Sequence, residues 1–221
     1  MPVRSYTVGT VRSVQLRVHL SLVALPLVVV FLANPVRLSG YLTLVDRAVP
    51  ASLATGLPPQ RALVAGVLTT AVLFGSVTLH EFGHAALAAR EGVGVEAVTL
   101  WIFGGFVTVA ATTTRWDSEL RIAAAGPAVN AILTGAGSLV LLLWTLSPAL
   151  TFLVSWIVTV NLLLAGLNLL PVTPLDGGRM LRAVLARTRP YTAADRLATR
   201  IGWVVLAVGL LAIFAPLVVL V

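Results

Sequence analysis

His80, Glu81 and His84 form an H-E-x-x-H array, the spacing by which one helix presents two imidazoles to a single zinc ion. Residues four apart lie about 40° from each other around a helix axis, so both rings can grip one cation. Glu81, beside the first of them, is placed to take a proton from a water held at the same ion. Zinc in a hydrolytic site takes three protein ligands and keeps one position open. The chain has three histidines and no cysteine, which leaves His19 or an acid for the third place. Asp176 is the better candidate. It lies in the stretch Asn168–Arg179, where Pro171, Pro174, Gly177 and Gly178 break helical geometry and let irregular backbone turn a carboxylate inward. Taken alone, Asp176 fits a helix cap before Arg179 equally well. Beside two zinc-spaced histidines the ligand reading prevails, and His19 is assigned to an interface.

The element that must carry the motif is a membrane helix. Ala62–Ala89 holds no charged residue besides Glu81 and is long enough to cross a bilayer. Composition agrees: the chain is 58% hydrophobic and 10% charged over 221 residues, with a mean hydropathy of +1.00. That length supplies about five or six spans and little else. We therefore expect an all-α polytopic membrane protein, residues 1–221 forming one domain with no appended soluble domain. The expected helices are Val18–Leu32, Ala62–Ala89, Ile122–Leu146, Ala149–Leu170 and Ile201–Val221, with residues 35 to 60 as a Pro/Gly-rich loop. A cleaved signal peptide is the rival for the first segment, but no small-x-small site follows it.

The net charge of +7 comes from fifteen basic residues, all arginine. No Lys-rich or aromatic-interleaved patch marks a nucleic-acid surface, and the charges read as topogenic. With the N-terminus in the cytoplasm and five crossings, twelve arginines fall inside, and only Arg37, Arg47 and Arg61 fall outside. His84 precedes Arg90 by six residues, about 9 Å of helix rise, so the site is expected within the bilayer near its cytoplasmic face. Trp116, Trp144 and Trp203 fall near expected interfaces. The segment Arg179–Arg200 reads as a basic cytoplasmic surface helix.

Val93–Ala111 departs from the helical pattern. Its strand-prone residues around Gly104-Gly105 predict a small membrane-associated β-hairpin with the glycines at the turn. A free hairpin edge could pair with an unwound substrate segment, or the hairpin could serve packing alone. Asn130 and Asn168 are candidates for holding a substrate carbonyl, although asparagines in membrane helices also link helices; Asn161 is read as such a link.

Two elements together, His80-Glu81-Phe82-Gly83-His84 and Asn168-x-x-Pro171-x-x-x-Leu175-Asp176-Gly177, resemble the site-2 proteases, the intramembrane zinc metalloproteases. Phe103-Gly104-Gly105-Phe106 and Ala125-Gly126-Pro127-x-x-Asn130 are similar to the same family's pattern, and the resemblance covers about residues 62 to 180. It implies one zinc held by His80, His84 and Asp176, Glu81 as general base, and substrate contacts from Asn130, Asn168, Gly104 and Gly105. It also implies a membrane-anchored protein substrate in the cell membrane, cut in regulated proteolysis. The alternative function is a divalent-metal transporter, which would also need intramembrane His and carboxylate ligands but has no use for a base beside a complete set.

Overall fold

The computed structural model describes residues 5–11, 14–32, 59–101, 104–109 and 115–219. In chain order these form strands β1 (Ser5–Val11) and β2 (Val14–His19), a 3-10 turn at Leu20–Ala24, and helices α1 (Leu25–Leu32) and α2 (Pro59–Arg90). Then follow strands β3 (Val95–Trp101) and β4 (Gly104–Val109), and helices α3 (Trp116–Leu143), α4 (Pro148–Asn168), α5 (Asp176–Ala186) and α6 (Tyr191–Val219).

Among the described residues three helices are long and apolar enough to cross a membrane: Leu63–Arg90, Trp116–Leu143 and Pro148–Asn168. Many of their large apolar side chains are exposed, Leu63, Ile132, Leu142 and Leu162 among them, as suits a lipid environment. The motif helix α2 packs against both α3 and α4, and α5 lies against α3. Small residues set the approach of α2 to α3. A Cβ on Gly83 would stand 2.9 Å from both the Ala125 carbonyl oxygen and Val129 Cγ2, so only glycine fits that crossing. Pro127, inside α3, follows directly.

The expected helices near Ala62–Ala89 and Ala149–Leu170 match α2 and α4 closely. The third begins earlier than expected, at Trp116, because Asp117 and Glu119 occupy a first turn whose free N–H groups favour acids. The expected first helix Val18–Leu32 is corrected: Val18 and His19 end β2, and helix begins only at Leu25. Val14–His19 alternates apolar and polar residues, a period of two that the longer apolar run obscured. His19 caps the 3-10 turn, its Nδ1 accepting from the Ser21 N–H at 3.1 Å. The expected loop at 35–60 lies outside the described residues except for its last two, which open α2. The stretch Arg179–Arg200 is divided between α5 and α6, broken near Pro190.

The hairpin is present but belongs to a larger sheet. Four strands run in the order β1-β2-β3-β4, with β2 parallel to β3 and the other pairs antiparallel. Gly104 and Gly105, expected at the turn, are instead the first two residues of β4, paired with Trp101 and Leu100. Residues 102–103, between the two strands, lie outside those described. Gly105 has a steric reason to be in the strand: a Cβ there would stand 2.5 Å from Glu81 Cγ. The hairpin thus lies against the motif helix at its acid.

Candidate metal centre

His80 and His84 project from one face of α2 into the crossing with α3, and both are buried. Asp176 arrives from the opposite side as the first residue of α5. Its helix begins beneath the irregular segment that follows α4. A Cβ on Gly177 would collide with the carbonyl oxygens of Leu169 and Leu170, and one on Gly178 would stand 2.7 Å from the Thr173 nitrogen. The two glycines therefore let α5 start close under that segment, bringing the carboxylate to the histidines.

Three ligand atoms converge. Asp176 Oδ2 lies 3.1 Å from His80 Nε2 and 3.2 Å from His84 Nε2, and the two Nε2 atoms are 3.1 Å apart. A tetrahedral ion with bonds of about 2.0–2.1 Å spaces its ligand atoms about 3.3 Å apart, so the triangle has the size zinc requires. Nδ1 of His84 faces the Ile122 carbonyl oxygen at 2.7 Å, an atom that can only accept, so Nδ1 carries the proton and Nε2 its lone pair. Nδ1 of His80 faces Asn130 Oδ1. Three potential ligand atoms this close together could hold a cation. Among the described residues this is the one such group of histidines and acids.

The second carboxylate oxygen is also engaged. Arg179 Nη1 donates to Asp176 Oδ1 at 3.3 Å, leaving Oδ2 to the imidazoles. The cap reading of Asp176 does not hold, because Leu175 occupies the cap position without a side-chain cap hydrogen bond and Asp176 is the first residue of the helix.

Glu81, Asp176, both histidines, Asn168 and Arg179 line a cavity of about 240 Å³ that also touches Gly105. Glu81 is the free acid of this cavity, its carbon stem packed on Gly105. Asn168 reaches the cavity wall while its amide donates to the Leu164 carbonyl at 2.9 Å. Asn130 is placed differently from expectation: it is fully buried behind His80, its oxygen on the ring and its nitrogen on Asn161. A substrate has no access to that amide. Gly126 lies at the close crossing of α3 with the motif helix, and a Cβ there would stand 2.7 Å from His80 Nε2, so its missing side chain is the space in which the candidate ligand atoms meet.

A part-buried ion pair secures α5. Arg182 donates to Glu119 on α3 from two nitrogens, with Nε at 3.1 Å, and to Asp195 on α6 at 3.0 Å. The sequence offered no signal for this pairing, since 63 residues separate Arg182 from Glu119.

Comparison with known proteins agrees with this geometry. The family model for peptidase family M50 matches residues 68–150 and 144–209. Rip3 of Mycobacterium tuberculosis is 39% identical over 163 residues, 70% of this chain and 42% of that protein. The zinc metalloprotease MJ0392 of Methanocaldococcus jannaschii is 36% identical over 131 residues, 59% of this chain and 38% of that protein. This chain therefore spans about two fifths of the length of these curated relatives. The solved structure of the site-2 protease from Methanocaldococcus jannaschii superposes with a TM-score of 0.60 at 25% identity, covering 98% of this chain and 88% of that one. With the motif helix, the convergent carboxylate and the three-dimensional match in agreement, the chain belongs to peptidase family M50, on the fold of the site-2 proteases.

Proposed function

We propose that the chain is an intramembrane zinc endopeptidase that hydrolyses a peptide bond in or near a membrane-spanning segment of a protein substrate. The observation that carries this reading is the meeting of His80, His84 and Asp176 within 3.1–3.2 Å, with Glu81 in the same cavity, on helices suited to a bilayer. Zinc held there, one ion per chain, would supply a polarised carbonyl and an acidified water. Glu81 takes the proton from the attacking water and later returns it to the leaving amine. A lone carboxylate at that depth is costly, and no arginine lies one helical turn away to pair with it, which favours a catalytic use.

The substrate segment must present an extended backbone, because helical carbonyls are already bonded. Among the described residues strand β4 pairs with β3 on one side only, and its Gly105 adjoins Glu81. An unwound substrate strand added to the β4 edge would run past the acid, with Gly104 and Gly105 allowing close approach and Asn168 holding a carbonyl. We place the N-terminus in the cytoplasm and the site near that face of the cell membrane. The pairing of β2 with β3 supports this, because it sets residues 14–19 beside the strands that follow the arginine-ended α2. Cleavage there would release a cytosolic fragment, the logic of regulated proteolysis. The transporter alternative has nothing in its favour: the matching family is one of peptidases, and Glu81 stands outside the ligand triangle.

The test measures bound zinc and cleavage of membrane-anchored substrates by wild type and E81Q. Retained zinc with cleavage lowered by about 10²–10⁴-fold supports the reading. Equal cleavage by both proteins would overturn it.

A further inference from the structure

Behind His80 runs a chain of amides whose orientation is fixed from its far end. The Ile157 carbonyl oxygen can only accept, so the Asn161 atom 2.8 Å from it is the amide nitrogen. The same nitrogen donates to Ser76 Oγ at 2.9 Å, which uses both of its hydrogens. Oδ1 of Asn161 must then face Asn130, whose nitrogen donates to it at 2.7 Å. Asn130 in turn can offer only Oδ1 to Nδ1 of His80. An acceptor at that point requires Nδ1 to hold the ring proton, and the Nε2 lone pair is left to the ligand triangle.

We infer that Asn161 is a positioning residue: acting through Asn130, it sets the tautomer of His80 and so keeps Nε2 free to bind the metal. This rests on the reading of His80, His84 and Asp176 as the ligand set. If either amide turned over, an N–H would face Nδ1, the ring proton would move to Nε2, and the ligand position would close. Water cannot replace the relay, because Asn130 and Asn161 are both 0% exposed. His84 needs no such device, since its partner is the fixed Ile122 carbonyl. Three helices contribute, with Ser76 on α2, Asn130 on α3 and Asn161 on α4, so their packing is read out as a proton position on one ring.

The experiment uses the full chain with ¹⁵N-labelled histidine, comparing wild type, N161L and N161D. Ring nitrogen shifts are recorded without metal, and zinc affinity is measured by competition with a chelator. N161L removes the group that orients Asn130, so His80 should become a mixture of tautomers and zinc affinity should fall about 10- to 100-fold. N161D loses both donated hydrogen bonds and should lower thermal stability. Its carboxylate still accepts from Asn130, so the His80 tautomer and the zinc affinity should stay close to wild type. An unchanged tautomer and affinity in N161L would overturn the proposal. So would N161D losing the tautomer, which would mark Asn161 as a packing residue; this arm decides the matter if N161L does not fold. A wild type that binds no zinc would refute the metal reading, while the ring shifts would still judge the relay.

Discussion

Gly126 on α3 faces His80 on α2 so closely that a single added carbon would stand 2.7 Å from the Nε2 of that ring. The same carbon would collide with Nε2 of His84. The small size of residue 126 would therefore be a condition of metal binding at the proposed centre. G126A should abolish zinc binding while the helical content is retained. Metal analysis of the purified protein, paired with circular dichroism, checks it; stoichiometric zinc in G126A would be incompatible with the geometry.

Gly105 stands in the same relation to Glu81, the proposed general base, 2.5 Å from Cγ and 3.0 Å from Cδ when a Cβ is added. G105A should displace the Glu81 carboxylate without touching a ligand atom. Turnover should fall by tenfold or more, with zinc content unchanged, because a displacement of about 1 Å in a reacting group costs about 10²-fold. Steady-state cleavage beside metal analysis separates this outcome from a loss of metal.

The third ligand can be distinguished from the remaining histidine. D176A should remove most bound zinc, whereas H19A should keep it, because His19 is occupied in capping the turn at Leu20–Ala24. Competition with a chromogenic chelator gives both affinities. Loss of zinc in H19A with retention in D176A would invert the assignment.

R182A leaves Glu119 buried and unpaired on α3. Breaking a fully buried pair costs about 3–5 kcal/mol, and we expect about 2–3 kcal/mol here because Arg182 is less than fully buried. Its side chain is 25% exposed, against 5% for Glu119. Because α5 also carries Asp176, zinc affinity should drop along with stability. Denaturant unfolding and metal competition on one preparation test the coupling; a stability loss with unchanged affinity would show that α5 is held by other contacts.

The chemistry was legible in the sequence because its signals are local. Two histidines four residues apart fix their own geometry once a helix is granted, and the apolar stretch Ala62–Ala89, with Glu81 its one charged residue, grants it. Asp176 was legible only in combination, since Pro171, Pro174, Gly177 and Gly178 mark a break but not where the carboxylate points. The misreadings came from non-local pairing. Strand β2 exists because β1 and β3 flank it, and β3 lies about eighty residues further on. Nothing local distinguishes Val14–His19 from the start of an apolar helix except its alternation. Asn130 was misplaced for a similar reason: a buried asparagine facing substrate and one facing a histidine look alike until the neighbouring helices are in place. Gly105 was assigned to a turn because a double glycine favours one, whereas its neighbour Glu81 is what excludes a side chain.

The His80–Asp176 contact joins residues 96 positions apart in the chain. Because α2 precedes α5 in the chain, the imidazoles would exist as an incomplete pair until α5 follows. Only with α5 seated would the proposed triangle close. Metal capture would then double as a report that assembly has finished, and the proposed proteolysis would depend on it.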